Sequence, residues 1–269
     1  MSCLVTFGCS FSNYSWPTWA EILAHTGHWS SFENWAVGGM GNRGIAQRVM
    51  YRRFSKWHRP DDVYVIQWTT PAREDRVLDG RWRAEGSVFV SPTYGEDWAA
   101  KYWSWPNDLV NTAHARLSTR AILGTQLAYE FTRRWQWATQ DPVEATPRAS
   151  QDLDLAHEQH WLGVLPAIDT RGPERESAWS GLVRDSHPDS PQWLEWCEKR
   201  ILPALGLTMP RLTRSAVTTY AHRLHQQLTT QTGRNRGLHP DQVNPIAARL
   251  TQNTWTTRYC WPGQEGRLL

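Results

Sequence analysis

The 269-residue chain carries 29 basic and 26 acidic side chains, a formal net charge of +3, and 40% of its residues are hydrophobic. These values are ordinary for a folded soluble protein, and no apolar run reaches the roughly 18 residues that a membrane span requires. The four cysteines show no CxxC pairing and are too few for a disulfide scaffold. We therefore expect reduced thiols, no contact with a membrane, and synthesis in the cytoplasm without a signal peptide.

The chain is rich in tryptophan, with 18 copies. Indole rings suit sugar stacking and interfaces, although at any one position the alternative of packing in the core has the greater weight. Residues 201–269 hold eight arginines against two acidic residues, but these arginines form no continuous basic run. We interpret them as surface residues and do not expect a nucleic acid partner.

The first seventy residues alternate short apolar runs with helical patterns, which is typical of βαβ units and a parallel sheet. Glycine and proline mark the ends of several of these segments. The predicted elements of this region are strands at Cys3–Phe7, Phe32–Val37 and Val63–Trp68, and helices after Pro17 and near Asn42–Phe54.

Beyond this region the pattern is looser, and residues 79–105, rich in Gly, Trp and Tyr, are interpreted as an insertion. The further predicted elements are a hairpin around Ser87–Val90, a long helix at Asn107–Trp137, a strand at Trp161–Ile168, and helices at Pro191–Leu205 and Ser215–Gln231. We divide the chain into an α/β domain at 1–207 and an arginine-rich extension at 208–269. We expect this extension to dock on the domain, on a second copy of the chain, or within a larger protein assembly.

Three short segments carry residue types that suit nucleophilic catalysis. Ser10 follows the first predicted strand and Gly8, where a strand fixes a serine and a turn exposes it. A glycine-rich segment, Asn34–Asn42, follows the second strand and lets backbone N–H groups approach a ligand. Near the end of the domain, Asp185 lies two residues before His187, so that the acid can orient the imidazole as a general base.

With the segments in this order, the sequence resembles the SGNH/GDSL hydrolase family over roughly residues 3–205. Ser10 falls on the serine of the first block of that family, with Cys9 in place of the usual aspartate. Gly39, five residues after Asn34, falls on the oxyanion glycine of the second block. The Gly-Cys-Ser-Phe variant of the first block also occurs in phage-encoded members.

Two features depart from the usual pattern of the family. The third block usually supplies an asparagine that helps to bind the oxyanion, whereas Val65–Thr70 contains none. Thr69 is the best positional substitute, because a hydroxyl can donate one hydrogen bond. The fifth block is represented by Asp185 and His187, with one residue between them where two are more common, although the shorter spacing also occurs in the family.

The resemblance implies a three-layer α/β/α sandwich around a mainly parallel sheet, of the flavodoxin-like type. It also implies a serine esterase that removes an acyl group from a carbohydrate or another small ester. The roles implied are nucleophile for Ser10, general base for His187 and orienting acid for Asp185. The N–H groups of Ser10 and Gly39, together with the Thr69 hydroxyl, would bind the oxyanion.

We expect Trp68 and Trp103 to contact the substrate, and neither a cofactor nor a metal is implied. The alternative function is a structural protein of an assembly such as a phage virion, with the same fold and little or no activity. A G-x-G-x-x-G pattern at Gly39–Gly44 also fits a dinucleotide turn, although it follows the second strand and not the first.

Overall fold

The computed structural model of the protein describes residues 2–14, 17–69, 73–78, 81–87, 105–124, 126–133, 161–165 and 187–230. Strands and helices alternate over the first 68 residues. The elements in chain order are β1 (Cys3–Phe7), α1 (Trp19–Ala24), β2 (Ser31–Asn34), α2 (Asn42–Phe54), β3 (Val63–Trp68), β4 (Arg73–Leu78), β5 (Arg81–Ser87), α3 (Trp105–Leu123), β6 (Ala128–Arg133), β7 (Trp161–Leu165), α4 (Ser190–Trp196), a π-helical turn (Cys197–Ile201), α5 (Leu202–Ala204) and α6 (Arg211–Thr230).

The central sheet has the strand order β2-β1-β3-β6-β7, and β4 and β5 form a separate antiparallel hairpin. β6 pairs in parallel with both β3 and β7. The backbone N–H groups of Trp35 and Val37 donate to the carbonyls of Thr6 and Gly8, so the two chain segments advance in the same direction at β1 and β2. A mainly parallel sheet with flanking helices confirms the predicted three-layer α/β/α class.

Backbone contacts divide the chain into two compact units. Unit 1 comprises Met1–Leu4, Phe11–Asn34 and Ala167–Leu269, and unit 2 comprises Val5–Ser10 and Trp35–Pro166. Unit 2 therefore contains the strands from β3 to β7 with α2 and α3, whereas α1 and the helices from α4 onward belong to unit 1. The predicted domain boundary at residue 207 stays a prediction.

The core of unit 2 is built from the sheet and from the packing of α2 along α3. Phe7 at the end of β1 stacks on Tyr64 of β3, with 5.5 Å between ring centroids, and lies 6.3 Å from the ring of Trp35. All six residues of β3 are buried, as a continuous apolar strand in the middle of a parallel sheet requires. These contacts fix the end of β1 against β3.

The core of unit 1 is built where α4 packs against α1 and α6. α1 begins at Trp19 because Thr18 and Glu21 form a capping box, in which each side chain bonds the other's backbone N–H. Trp19 and Trp193 are fully buried, and the hydroxyl of Ser190 donates to the carbonyl of Pro17 at 2.9 Å. The start of α4 is therefore tied to the segment that leads into α1.

The first part of the predicted extension forms α6, which belongs to unit 1 and contacts other residues of that unit. Thr213 of α6 donates from its hydroxyl to the carbonyl of His25 at 3.0 Å, and Arg214 lies 3.0 Å from Glu198. A ring nitrogen of His28 lies 3.2 Å from the carbonyl oxygen of Thr208. Residues 231–269 are outside the described residues. None of the described helices has the length and apolar character needed to cross a bilayer.

Most of the predicted elements are confirmed, and three of them have the predicted bounds: β1, α2 and β3. The long helix predicted at Asn107–Trp137 is wrong. α3 ends at Leu123 because Gly124 adopts a φ of +57°, and Ala128–Arg133 is a strand that pairs with β3. The apolar spacing that suggested one helix continues past this glycine by coincidence.

An antiparallel hairpin that was not predicted precedes the one predicted around Ser87–Val90, of which residues 88–90 are outside the described residues. β4 and β5 pair in antiparallel fashion from Arg73 to Ser87, so the hairpin begins before the predicted insertion at 79–105. The polar residues of β4 gave no alternation of apolar and polar positions that would mark a half-buried strand. The remainder of the insertion, at 88–104, is outside the described residues.

Candidate functional site

The strand order reverses at β1, because the chain leads from β1 to β2 on one side while β3, β6 and β7 follow on the other. Such a reversal opens a crevice beyond the carboxyl ends of the two strands that flank it, which is where open α/β sheets bind ligands. Cys9, just after β1, has its Sγ 4.0 Å from Oε1 of Gln67, near the end of β3. The carboxyl ends of β1 and β3 therefore meet, and we expect the ligand crevice at this edge of the sheet.

Two of the predicted site residues belong to these strand ends in unit 2. Ser10 lies in the turn three residues after β1, and its side chain is largely buried, with 9% exposed. Thr69 follows β3 directly and is 1% exposed. The Oγ1 atom of Thr69 is buried and has no hydrogen-bond partner among the described residues. A buried hydroxyl of this kind is uncommon, because most buried polar atoms are paired.

The backbone of Thr69 is held by a residue that the sequence did not single out. Asn42, the first residue of α2, accepts from the N–H of Thr69 through Oδ1 at 2.8 Å and donates to the carbonyl of Thr69 at 3.0 Å. Its amide also donates to Oγ1 of Thr112 on α3 at 3.0 Å. The sequence named Asn42 as the end of the glycine-rich segment and the start of a helix, and gave it no role in the site, since its partner lies 27 positions away in the chain.

The third predicted site residue of unit 2, Gly39, lies in the turn between β2 and α2. Its φ is +80°, a backbone conformation that glycine adopts far more readily than other residues. The turn is closed by the N–H of Met40, which donates to the carbonyl of Val37 at 3.2 Å. The positive φ therefore favours glycine at position 39 over any residue with a side chain.

The other two glycines of the G-x-G-x-x-G pattern receive a carboxylate from β4. Asp75 accepts from the N–H of Gly41 at 2.7 Å and from the N–H of Gly44 at 2.6 Å, one bond to each oxygen. A Cβ at Gly41 would lie 2.6 Å from the carbonyl oxygen of Arg73, and one at Gly44 would lie 2.9 Å from the Asp75 carboxylate. The start of α2 thus holds an anion of the chain itself where a dinucleotide turn would hold a phosphate, which argues against the dinucleotide interpretation.

The electrostatic environment of Asp75 is mixed. Burial raises the pKa of its carboxyl group above the ordinary value, while the N–H groups of Gly41 and Gly44 and the charges of Arg73 and Arg48 act in the opposite direction. Asp75 was not predicted as a functional residue, because its partners are more than thirty positions away. Its role here is to cap α2.

His187, the predicted general base, belongs to unit 1 and precedes α4. Its imidazole is half-buried and stacks on the ring of Tyr14, with 3.8 Å between centroids and 14° between planes. It also contacts the ring of Phe11, at 4.6 Å between centroids. Phe11 in turn packs edge-on against Trp193 of α4 at 6.2 Å. Two aromatic rings from the turn after β1 therefore hold the imidazole.

Two predicted site residues, Asp185 and Trp103, lie outside the described residues. The acidic residue after His187 has another task, since Asp189 is the N-cap of α4 and accepts from the N–H of Gln192 at 2.9 Å. Burial raises the pKa of Asp189, and the hydrogen bond from Gln192 opposes this shift. Asp189 is therefore a helix cap. The role predicted for Asp185, to orient the imidazole of His187, stays a prediction.

Trp68, predicted to contact substrate, is a core residue with 1% of its surface exposed. Its indole N–H donates to Oε2 of Glu130 on β6 at 2.8 Å, and Arg116 and Arg120 of α3 pair with the same carboxylate. Burial alone would raise the pKa of Glu130, but the two guanidinium groups outweigh it, and the pKa is lowered. We do not include Trp68 in the proposed site.

No group of three or more metal-ligating side chains occurs among the described residues. No protein-family model matches the chain, and a search of curated proteins finds no match. Among solved structures, the chain is similar to the protein YxiM of Bacillus subtilis, with 12% sequence identity and a TM-score of 0.32. The match covers 94% of this chain and 55% of YxiM, so the chain spans about half the length of that protein. A likeness this weak carries no argument about function.

Proposed function

We propose that the protein is a serine ester hydrolase in which Ser10 is the nucleophile, His187 the general base and Asp185 the acid that orients the imidazole. The observation that carries this proposal is the packing of His187 against Phe11 and Tyr14. Phe11 is the next residue after Ser10 in the chain, and consecutive Cα atoms are about 3.8 Å apart. A histidine that packs on the residue directly following the predicted nucleophile in the chain supports a catalytic pair.

The surroundings of Ser10 in unit 2 also support the proposal. Ser10 and Thr69 follow the two strands that flank the crevice, and the Thr69 hydroxyl has no partner among the described residues. In the proposed reaction, this hydroxyl and the N–H groups of Ser10 and Gly39 bind the negative charge that develops on the carbonyl oxygen of the ester. Donors fixed before the reaction begins stabilise such a charge without reorganisation.

The proposed reaction has two halves. The hydroxyl oxygen of Ser10 attacks the ester carbonyl while His187 takes the proton, and the tetrahedral intermediate expels the alcohol, which receives that proton. Water then attacks the acyl-serine, again with His187 as base, and releases the carboxylic acid and free Ser10. The substrate class we propose is a small ester, in particular an acylated carbohydrate.

Hydrolysis of p-nitrophenyl acetate by the purified full-length chain tests the proposal. We expect release of p-nitrophenolate that Ser10→Ala abolishes, and covalent labelling of the wild type by a fluorophosphonate probe, located at Ser10 by mass spectrometry. Ser12→Ala is the matched control, because Ser12 lies in the same turn but accepts from the indole N–H of Trp19 at 3.1 Å. It should keep the wild-type rate per folded molecule.

Two kinetic results would contradict the roles assigned to Ser10 and His187. Equal rates for the wild type and Ser10→Ala would show that any hydrolysis arises elsewhere, and the proposed function would be wrong. His187→Gln should lower kcat by about 10²- to 10⁴-fold, the usual worth of a positioned general base. If Ser10 is required and His187→Gln keeps the full rate, the nucleophile assignment stands and the assigned base is wrong.

A further inference from the structure

We propose that Asn42 is a positioning residue that holds Thr69 so that its hydroxyl is aimed at the oxyanion, an inference that rests on the proposed function. Asn42 does not touch the substrate in this scheme. It acts through Thr69, the residue that directly follows β3. The evidence is the pattern of hydrogen bonds around the two residues.

The hydrogen bonds between Asn42 and Thr69 are a two-point contact with the backbone. The N–H of Thr69 donates to Oδ1 of Asn42 at 2.8 Å, and the amide nitrogen of Asn42 donates to the carbonyl oxygen of Thr69 at 3.0 Å. The side chain of Asn42 therefore binds both backbone polar groups of Thr69, the N–H and the carbonyl. This contact fixes the Cα of Thr69 at the point where the chain leaves β3, and so limits the directions that its side chain can take.

Asn42 is itself fixed from two sides. It is 5% exposed, it begins α2 next to Gly41, and its second amide N–H donates to Oγ1 of Thr112 on α3 at 3.0 Å. A primary amide has two N–H donors, and both are used by these bonds. Neither side-chain donor of Asn42 remains for an oxyanion, so the contribution of this side chain to catalysis has to pass through Thr69.

Thr69 presents the opposite situation, because its backbone is fully bound and its hydroxyl is not. Oγ1 is buried and has no hydrogen-bond partner among the described residues. Leaving a buried hydroxyl unpaired costs stability, and a role at a catalytic site is one of the explanations for such a group. A clamped backbone next to an unpaired hydroxyl is the arrangement expected of a donor held ready for a substrate.

A double-mutant cycle on the full-length chain tests the inference, with p-nitrophenyl acetate hydrolysis and fluorophosphonate labelling of Ser10 as the two rates. We expect Asn42→Ala to lower kcat by about 10- to 100-fold and Thr69→Val by about 100-fold, with KM changed less than about threefold. In the Thr69→Val background, Asn42→Ala should lower kcat by less than about threefold further. Such coupling is the sign of action through one group.

Thr119→Val is the matched control, since Thr119 of α3 is also a buried threonine whose Oγ1 has no hydrogen-bond partner among the described residues, and it has no part in the proposed scheme. It should keep kcat within about twofold. Where Asn42→Ala fails to fold, Asn42→Asp replaces it. The aspartate still accepts from the N–H of Thr69 but cannot donate to the carbonyl, so kcat should again fall.

Three results would overturn the inference. Additive losses of kcat in the cycle would mean that Asn42 acts independently of Thr69, and an unchanged kcat in a folded Asn42 variant would mean that it does not act at all. In both cases Ser10-dependent hydrolysis by the wild type persists, and the proposed function stands. Absence of any Ser10-dependent reaction with either probe would remove the proposed function and this inference together.

Discussion

The carboxylate of Asp75 accepts a hydrogen bond from the backbone N–H of Gly44, 2.6 Å away in the first turn of α2. The N-cap residue of this helix is Gly41, which has no side chain to bond the free N–H groups of the first turn. Asp75 supplies that cap from β4, more than thirty residues along the chain, and places a negative charge at the positive end of the helix dipole. The hairpin and the helix are thereby joined.

The first prediction concerns this cap. Asp75→Asn should lower the free energy of unfolding by about 1–2 kcal/mol, because an amide offers one acceptor oxygen to two N–H groups and turns a donor toward one of them. Urea titration followed by tryptophan fluorescence measures the loss. An unchanged unfolding midpoint would show that the cap contributes nothing to stability.

Gly41→Ala tests how closely β4 approaches α2. The new Cβ would lie 2.6 Å from the backbone oxygen of Arg73 and 2.8 Å from the Asp75 carboxylate, so the hairpin has to move. We expect a loss of about 1–3 kcal/mol, as is usual when a well-packed contact is overfilled. Gly38→Ala is the control, because its Cβ would have no atom within 4 Å, and it should stay within about 0.5 kcal/mol of wild type.

The buried ion pair between Arg52 of α2 and Asp62 before β3 gives a third prediction. Nη2 of Arg52 lies 2.9 Å from Oδ2 of Asp62, and the two side chains are 1% and 0% exposed. Asp62→Asn leaves the buried guanidinium without this anion and should cost about 3–5 kcal/mol in chemical denaturation. Asp61→Asn alters the neighbouring exposed aspartate and should change the stability by less than about 0.5 kcal/mol. Similar losses for the two variants would contradict the prediction.

A dependence of stability on pH is expected from His25, which follows α1. Burial lowers the pKa of its imidazole below the ordinary value of 6.5, and Nδ1 lies 3.3 Å from the hydroxyl of Thr213. Because folding favours the neutral ring, its stabilising contribution is present above pH 6.5 and is lost as the pH falls through the folded-state pKa.

His25→Gln, which does not titrate, should therefore remove part of the change in unfolding free energy between about pH 8 and pH 5. Urea titrations of the wild type and the variant at several pH values within this range measure the difference. Parallel pH profiles for the two proteins would show that His25 is not the group responsible.

Local patterns were sufficient to predict the strands and helices that carry the site. Cys3–Phe7 and Val63–Trp68 are short apolar runs stopped by glycine or proline, and Asn42–Phe54 follows a cluster of glycines. Such signals act within a few residues, and the structure confirms all three elements. The pattern failed at Gly124, because a single glycine with positive φ ends a helix that the apolar spacing alone would extend.

The interactions that shape the crevice were beyond local prediction. Asn42 and Thr69 are 27 positions apart, and the bonds from Asp75 to α2 join elements separated by β3. Nothing in the neighbourhood of Gly41 and Gly44 shows that a carboxylate is their partner, so a phosphate was the natural alternative. Only the fold brings these residues together, since the sheet order decides which strand ends and helix starts are neighbours.

β1 contributes its first two residues to unit 1 and its last three to unit 2, and the chain crosses between the units at residues 4–5, 10–11, 34–35 and 166–167. No single cut of the polypeptide therefore releases either unit whole. A gene fragment that ends at residue 166 would encode all of unit 2 together with two segments of unit 1, Met1–Leu4 and Phe11–Asn34, without the rest of that unit. A chimera that takes unit 1 from a related protein has to exchange residues 1–4, 11–34 and 167–269 as one set.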